Sequence, residues 1–533
     1  MLTRRDEMPN FRRICATRAR AFAAETGGAM LVWFLFAVMG IVLAVGLGLD
    51  TYRTESVRTN VQNTIDRAIL AAADLEQERD AEAVVRDYFD RAGLPGDEVT
   101  VETVEKVNEK IVSASLNSMV GTRFIDMIGF DELAAPAAGT AVESLTDVEI
   151  SLVLDNSGSM GWNGNYRLNL LKPAAKDFVD TVVKPGPNGQ PSTVSVSIIP
   201  FSTQVNAGPT LASALNLTAE HDYSHCAEFP GASYSDTALD PADALPRAGH
   251  FDIFTWDSPV DTFGVVCPFD GSRHITAWSQ DKDTLKAQID AMWAGGNTSI
   301  DIAAKWGAAL LDPAFRPALT QLVADGEVPA NLAGRPFDYG RDNTLKVLVV
   351  MSDGQNTDQF RLEPDFASGA SPVYVDGGSG TVSYYDAGRD EYFVFNGTTL
   401  SSTPGGAWQA EPAGGAAAAQ LDWPEVWDKW SVRYFARYIK AEAVGGNWGS
   451  HYNAVFDRVN PGAKNTRTTE ICDAARNAGA IVYSIGMDTY GQGDATLLAC
   501  AADSLRFFDV RSEDIGVAFS SIARQINQLR LTN

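Results

Sequence analysis

The chain has 533 residues, 45% of them hydrophobic, and is therefore long enough to bury a substantial core and to form two or three domains. Its formal net charge of −26 and its pI of about 4.5 exclude nucleic acid as the partner, because a surface that binds phosphate groups needs clustered Lys and Arg.

The N-terminal part differs from the rest of the chain in charge and in hydropathy. Residues 1–26 contain six arginines and three acidic residues, whereas the 23 residues from 27 to 49 carry no charge. A helix of that length reaches about 34 Å, enough to cross a hydrocarbon core of about 30 Å. Because arginines stay on the cytoplasmic side, we expect a cytoplasmic segment at 1–26, one transmembrane helix at 27–49, and residues 50–533 outside the cytoplasm.

An apolar run near the N-terminus can also be a leader that is removed after export. A leader has a shorter run and a small-residue cleavage site after it. Here the run is long, and Asp50, Tyr52 and Arg53 follow it directly. The pattern favours a retained anchor, and a cleaved leader stays as the alternative.

Four of the five cysteines lie beyond the apolar run, in the part expected to face an oxidising compartment. Their positions in the sequence suggest the disulfides Cys226–Cys267 and Cys472–Cys500. Four cysteines permit three pairings, and buried free thiols are a further alternative. A zinc site at His221, His225 and Cys226 is disfavoured, because Cys226 is more readily used in a disulfide.

Residues 50–145 have the pattern of a small α+β juxtamembrane region. Residues 51–73 place apolar side chains on one helical face, so the helix is predicted to continue beyond the apolar run. A second helix is predicted near 76–92, and alternating polarity predicts strands at 99–107 and 110–116. An alanine-rich stretch at 134–141 is predicted to be a linker to the next domain.

The C-terminal part, residues 146–533, alternates short apolar strands with helices, which is typical of a doubly wound parallel sheet in an α/β fold. Two stretches, at about 204–280 and 355–466, do not fit this alternation and are interpreted as insertions. The predicted elements are strands ending near 155, 201, 352 and 487 and helices at 167–184, 281–293, 300–311, 468–478 and 512–530.

The second insertion is predicted to contain one helix with an aromatic stripe. Five rings recur at helical spacing, namely Trp423, Trp427, Trp430, Tyr434 and Tyr438. We interpret this stripe as a core face, and a ligand platform is the alternative.

Oxygen-bearing side chains collect where the predicted strands end. Asp155 ends a strand and is followed by Ser157 and Ser159, while Thr298 precedes a helix and Asp353 follows another strand. The carboxyl ends of parallel strands meet at one edge of a sheet, so these residues are expected to converge. Hard cations such as Mg²⁺ take oxygen ligands of this kind.

The motif D-x-S-x-S at Asp155, Ser157 and Ser159, with Thr298 and Asp353 downstream, resembles the metal-ion-dependent adhesion site (MIDAS) of von Willebrand factor A (vWA) domains. The resemblance implies a Rossmann-like vWA fold that binds Mg²⁺, or Mn²⁺ or Ca²⁺. It also implies that the Asp155, Ser157 and Ser159 side chains are direct ligands, that Thr298 binds directly or through water, and that Asp353 acts through water. A carboxylate of a partner protein would complete the site. A metal-free vWA fold is the alternative.

The N-terminal part resembles the TadG-like proteins of Tad (Flp) pilus assembly. The resemblance lies in the apolar run, in VQNTIDRAILAAA at 61–73, and in the later segments IPFS at 199–202 and SDGQNT at 352–357. It implies a protein of the bacterial inner membrane with a periplasmic bulk that acts in pilus assembly or adhesion. Its partner would be a pilus or secretion-machine component.

Enzymatic functions are not supported by the motifs. Residues 158–161 lack the G-x-S-x-G spacing of a nucleophile elbow, and the chain has no G-x-x-x-x-G-K-[ST] phosphate-binding loop. We therefore predict neither catalysis nor a small-molecule substrate. The alternative function is a general surface adhesin or matrix-binding vWA protein that is not dedicated to pili.

Overall fold

The computed structural model describes residues 8–24, 27–74, 77, 79–106, 109–144, 146–186, 191–256, 264–397, 405–491 and 493–532. The first part of the basic segment, the predicted domain boundary at 145, and parts of both insertions lie outside the described residues. The chain divides into two compact units, Met1–Ser144 and Leu145–Asn533, called unit 1 and unit 2.

Unit 1 contains three helices and one antiparallel sheet with the strand order β1-β2-β3. The second helix is continuous over 47 residues, which confirms that the helix continues beyond the apolar run. It is the one helix within the described ranges that is long and apolar enough to cross a membrane. The elements are α1 (Met8–Ala24), α2 (Gly27–Ala73), α3 (Ala81–Arg91), β1 (Thr100–Lys106), β2 (Glu109–Gly121) and β3 (Glu132–Ser144).

The two halves of α2 have different surroundings. In the apolar run the large side chains are exposed, as the 76% exposure of Trp33 illustrates. Beyond it, Val61, Ile65 and Ala68 are fully buried against α3 and the sheet. The second half of α2 is therefore part of the core of unit 1, whereas the apolar run is not.

The predicted linker at 134–141 is wrong, because these residues lie inside β3. They pair with β2 along the whole strand, and β3 is an edge strand, which explains why Pro136 is tolerated there. The small residues allow close packing, since a Cβ on Gly139 would lie 2.9 Å from Cδ1 of Ile69. The small side chains of β3 therefore allow α2 to pack closely on the sheet.

Unit 2 contains a six-stranded sheet with the strand order β16-β15-β7-β4-β5-β6. It includes the four strands that the sequence predicts, which end near 155, 201, 352 and 487, and two short edge strands that it does not predict. Its first five strands are parallel, and β6 is an antiparallel edge. The strands of this unit are β4 (Asp147–Asp155), β5 (Val194–Phe201), β6 (Thr276–Ser279), β7 (Thr344–Ser352), β8 (Gln359–Leu362), β9 (Ala370–Asp376), β10 (Val382–Asp386), β11 (Glu391–Phe395), β12 (Gly406–Gln409), β13 (Ala418–Asp422), β14 (Phe456–Val459), β15 (Ile481–Met487) and β16 (Phe507–Val510).

Helices cover both faces of this sheet, so the doubly wound α/β architecture is confirmed. One face packs against α7 and α13 and the other against α4, α6 and α15. The helices of the unit are α4 (Trp162–Val182), α5 (Gly208–Ala212), α6 (Lys282–Ala291), α7 (Ile300–Ala309), α8 (Arg316–Ala324), α9 (Trp423–Lys429), α10 (Val432–Tyr434), α11 (Ala441–Val444), α12 (Trp448–Asn453), α13 (Pro461–Ala478), α14 (Asp494–Ala501) and α15 (Ile515–Thr532).

The two insertions form one shared core. The second contains a five-stranded antiparallel sheet with the order β12-β11-β10-β9-β13, which the sequence analysis did not predict. Phe251 and Ile253 of the first insertion lie in the same apolar cluster as Trp427 and Phe435 of the second. The insertions therefore depend on each other for burial.

The single helix predicted for the aromatic stripe is wrong, although its interpretation as a core face is confirmed. The helix is interrupted between α9 and α10, where the Ser431 hydroxyl donates to the carbonyl of Thr255 and accepts from the backbone N–H of Tyr434. Trp427 is fully buried, and Trp430 packs against the same cluster. Contacts with the first insertion thus interrupt the single helix that the spacing of the rings predicts.

Both disulfides suggested by the sequence are present in the structure, Cys226–Cys267 and Cys472–Cys500. The first lies within the first insertion, and the second joins α13 to α14. Because Cys226 is bonded to Cys267, it is not available as a zinc ligand, and Nε2 of His221 contacts the carbonyl of Ala248 instead.

Candidate metal centre

Asp155 lies at the carboxyl end of β4, in the middle of the sheet, and is fully buried. One carboxylate oxygen accepts the backbone N–H of Ser157 at 2.7 Å, and the other accepts the hydroxyl of Ser352 at 2.7 Å. These bonds fix the carboxylate at the start of the loop. The loop itself passes close to its neighbour, because the N–H of Gly158 donates to the carbonyl of Gly296 at 3.0 Å.

Three of the other predicted ligands form a continuous chain of oxygen contacts. The hydroxyls of Ser157 and Ser159 are 3.2 Å apart, and Ser159 donates to Oδ1 of Asp353 at 2.7 Å. Because β4 and β7 are neighbours in the sheet, Asp353 follows its strand at the same edge as Asp155. The structure thus brings Asp155, Ser157, Ser159 and Asp353 together.

Thr298 reaches the same cleft from the loop before α7. Its N–H donates to the hydroxyl of Thr357 at 2.8 Å, and its carbonyl accepts from Nζ of Lys464 at 2.8 Å. The loop is shaped by Gly296, which has a φ of +83° and lies so close to Thr203 that a Cβ would be 2.7 Å from its hydroxyl. All five predicted ligands are therefore at one edge of the sheet.

The charges of this edge favour a bound cation. Burial, together with the nearby charge of Asp353, raises the pKa of Asp155 to about 7. Burial also raises the pKa of Asp353, although hydrogen bonds from Ser159 and Arg167 oppose it. Two buried carboxylates near each other are unfavourable when both are ionised, and a cation between them relieves this cost.

Arg167 of α4 is a charged residue in the cleft that the sequence analysis did not identify. Its Nη1 donates to Oδ2 of Asp353 at 2.6 Å, and its Nε donates to Asp488 at 3.3 Å. Asp488 follows β15 and is held by the N–H of Ser512 at 3.0 Å. Arg167 therefore links two strand-end loops and neutralises part of the acidic charge.

Lys464 is the second residue that the sequence analysis missed. It is fully buried, and its Nζ donates to the carbonyls of Thr298 and Thr357 and to the hydroxyl of Ser299. The carboxylate of Asp301 lies 3.9 Å away. Burial lowers the pKa of this ammonium to about 8, although Asp301 opposes the shift. The residue was missed because it lies within the predicted second insertion, whereas α13 begins at Pro461.

The residues present fit a small divalent cation. Neighbouring ligands around an ion with bonds of about 2.1 Å lie about 3.0 Å apart in an octahedral shell, close to the 3.2 Å between the hydroxyls of Ser157 and Ser159. Within the described ranges, no group of three or more His, Cys, Asp and Glu side chains could hold a metal ion. The candidate site described here instead combines hydroxyl oxygens with two carboxylates.

The cleft above these oxygens is open and has an aromatic rim. Its volume is about 480 Å³, and its lining includes Ser159, Arg167, Thr298 and Asp353. Trp162 is 65% exposed, and Tyr490, also on the rim, is 82% exposed. A partner can thus reach the oxygens from outside, with apolar surface beside them.

Comparison with protein families gives a match at residues 27–75 to the family described as Putative Flp pilus-assembly TadE/G-like. The match includes the apolar run and the whole segment at 61–73 on which the resemblance to TadG-like proteins depends. Comparison with curated proteins gives no match.

Comparison with solved structures gives weak similarity to two pilus proteins and to a protein of the mussel byssus. The vWF domain of the type V pili tip protein Mfa5 from Porphyromonas gingivalis has 12% identity and a TM-score of 0.31, over 72% of this chain and 96% of that one. The pilus adhesin SpaC from Lactobacillus rhamnosus GG has 12% identity and a TM-score of 0.28, over 80% and 34%. Proximal thread matrix protein 1 from the mussel byssus, with a zinc-occupied MIDAS motif, has 12% identity and a TM-score of 0.26, over 71% and 46%.

These TM-scores carry no argument about function, so the fold assignment rests on the chain itself. The strand order β16-β15-β7-β4-β5-β6, with one antiparallel edge, places the D-x-S-x-S loop after a central parallel strand. The chain combines an N-terminal segment similar to TadE/G-like proteins with a C-terminal doubly wound α/β domain that carries a D-x-S-x-S loop after a central strand.

Proposed function

We propose that this protein is anchored in the bacterial inner membrane by α2 and acts in Tad/Flp-type pilus assembly or adhesion. Its vWA domain binds a partner protein through a divalent cation, Mg²⁺ or Mn²⁺, held by Asp155, Ser157, Ser159, Thr298 and Asp353. The observation that supports this most directly is the chain of oxygen contacts from Ser157 through Ser159 to Asp353. The TadE/G-like match at 27–75 supports the link to pili.

The proposed orientation places unit 2 in the periplasm. Six arginines precede the apolar run, and positively charged residues stay in the cytoplasm. The two disulfides agree with an oxidising compartment.

The cation would act as the electrophile for a carboxylate of the partner. Hydroxyl ligands leave more of the positive charge of an ion uncompensated than carboxylates do, so it attracts an outside anion. Arg167 and the rim residues Trp162 and Tyr490 would contact the partner around this point. Domain boundaries near 49 and 145, with a juxtamembrane region between them, complete the proposed organisation.

Asp155→Ala is expected to abolish Mn²⁺ binding while the fold remains intact, because the side chain ends a strand whose pairing does not depend on it. Calorimetric titration of the full chain in detergent with Mn²⁺ measures the loss. Asp325→Ala, which removes an exposed carboxylate at the end of α8, is the matched control. Equal Mn²⁺ binding by Asp155→Ala and the unchanged protein, or none by either, would contradict the metal site.

The link to pili requires a cellular measurement. A strain carrying Asp155→Ala should have no assembled pili or should fail in pilus-dependent attachment, with the protein at normal abundance. Normal pili and normal attachment in that strain would separate the site from the proposed function. They would favour a general adhesin if binding to another surface is lost instead.

Arg167→Gln is expected to strengthen Mn²⁺ binding by at least about tenfold. A unit charge at 4 Å contributes about 1 kcal/mol even in water and about twice that for a divalent ion, and 1.4 kcal/mol is a factor of ten. Without the guanidinium, the negative charge of Asp353 is no longer partly neutralised and attracts the metal ion more strongly. The same titration measures the change, with Arg167→Lys as the charge-preserving control. Weaker binding by Arg167→Gln than by Arg167→Lys would show that the ion pair organises the site instead.

A further inference from the structure

The loop between β2 and β3, residues 122–131, lies beside the end of the apolar run. Three consecutive backbone N–H groups of the loop, those of Arg123, Phe124 and Ile125, donate to the carboxylate of Asp50 at 2.7 to 3.2 Å. Asp50 is only 2% exposed although it is the first charged residue after the run. The loop is therefore bound at the point where α2 leaves its apolar segment.

One contact of the loop is with a residue of α2 that precedes Asp50 and belongs to the apolar run. The side chain of Phe124 packs so closely on Gly46 that a Cβ on that glycine would lie 2.5 Å from Phe124 Cβ. Gly46 is one helical turn before Asp50, so this ring is level with residues of the predicted transmembrane helix. Glycine at this position makes the contact possible.

The packing of β3 on α2 also indicates how far along α2 the loop lies. Gly139 of β3 packs on Ile65 and Ile69. The strand begins seven residues earlier, at Glu132, which is about 24 Å away at the rise of a β-strand. The same distance along a helix corresponds to about 16 residues, so the end of the sheet is level with the region of Asp50.

The tip of the loop exposes large apolar side chains. Met127 is 68% exposed, Ile128 is 49% exposed and Phe130 is 59% exposed. A compact turn holds them together, because the N–H of Met127 donates to the carbonyl of Phe124 and the hydroxyl of Thr122 donates to the carbonyl of Phe130. The apolar surface is thus a fixed feature of the fold.

Charged residues lie within the loop and next to it. A hydrogen bond with Asp131, together with the charge of that residue, raises the pKa of Asp126. Arg123 is exposed, and Arg53 lies 4.0 Å from Asp50. Apolar side chains flanked by arginines are typical of segments at the surface of a membrane with anionic lipids.

We propose that residues 124–130 insert into the outer leaflet of the membrane that α2 spans, so that unit 1 contacts lipid at a second point. This inference rests on the proposed membrane anchor. A lipid bilayer is the occupant that the structure favours, because the loop contacts the apolar run through Phe124 and Gly46. Apolar side chains of that part of α2, such as Leu47 and Leu49, are also exposed like those of the tip. A helix alone can rotate and tilt, whereas a helix with an inserted loop beside it has a fixed orientation.

Spin labels on the full chain in phosphatidylethanolamine–phosphatidylglycerol vesicles test this proposal. Replacing Cys15 by Ser removes the free thiol, because the other four cysteines are in disulfides. A label is then placed at Ile128→Cys in the loop, at Val142→Cys on β3 and at Phe36→Cys in the apolar run. Val142 is the matched control, since it is 57% exposed but lies near the far end of the strand.

The measurement compares relaxation of each label by oxygen, which concentrates in lipid, with relaxation by a water-soluble nickel chelate. The label at 128 should resemble the label at 36, with an oxygen-to-nickel ratio several-fold above that at 142. A ratio at 128 equal to that at 142, with the label at 36 in lipid, overturns the inserted loop and leaves the anchor intact. A label at 36 that is in water overturns the anchor and the loop together.

Discussion

Replacing Glu149 by alanine is expected to lower the free energy of unfolding of unit 2 by about 3–5 kcal/mol. Glu149 of β4 is 2% exposed, and its carboxylate accepts Nζ of Lys346 at 2.6 Å and the N–H of Phe337 at 2.9 Å. Arg335 lies 3.8 Å away. Without the carboxylate, Lys346 keeps the carbonyl of Leu311 but loses its salt bridge. A buried charge without a partner is among the costliest changes in a core.

Guanidinium unfolding of the full chain in detergent, followed by tryptophan fluorescence, measures this loss. Trp33 is the only tryptophan outside unit 2, so the signal reports on that unit. The double variant Glu149→Ala with Lys346→Met should recover part of the stability, because it removes both charges. Exposed Glu327→Ala should change stability by less than about 0.5 kcal/mol. A double variant that is no more stable than Glu149→Ala would show that the loss has another cause.

Lys464→Met should lower both the stability of unit 2 and its affinity for Mn²⁺. The substitution removes the ammonium that donates to the carbonyls of Thr298 and Thr357, although the carbonyl of Thr298 keeps the backbone N–H of Thr357. It also removes a cation next to Asp301, which is fully buried, with Arg467 remaining 3.9 Å away. We expect a loss of about 3–5 kcal/mol in the free energy of unfolding, as for other broken buried pairs.

A second substitution separates the two effects of Lys464→Met. Asp301→Asn in the same chain removes the buried carboxylate that has lost its partner, so stability should largely return. Mn²⁺ affinity should stay low, because the loop carrying Thr298 is still without its donor. Recovery of both properties would contradict a positioning role of Lys464, and so would full Mn²⁺ affinity in Lys464→Met.

The central sheet and the five candidate ligands could be predicted from sequence because both depend on local pattern. Buried parallel strands are short apolar runs, and a ligand after such a strand has its position fixed by the sheet. Asp155 and Asp353 are of this kind. Arg167 and Lys464 could not be predicted in this way. They lie on helices, and the packing of those helices determines whether their side chains reach the loops.

Other errors of prediction have equally specific causes. The alanine-rich strand β3 resembles a linker because its side chains are small. They are small because the strand contacts α2, which is too far away in the sequence for a local pattern to reveal. The helix at 423–438 is interrupted where Ser431 bonds to Thr255, about 176 residues earlier in the chain. The five-stranded sheet of the second insertion had a local signal in its Asp- and Gly-rich turns at 376–380 and 386–390, between alternating residues.

The shared core of the two insertions has a consequence for the order of events during synthesis. Phe251 and Ile253 are made some 174 residues before Trp427, which completes their cluster. At about 5–20 residues per second, the earlier segment waits for roughly ten to thirty seconds with its aromatic surface uncovered. In the orientation proposed above, this interval falls within translocation. The apolar residues of the first insertion then stay uncovered until the second insertion has followed them across the membrane.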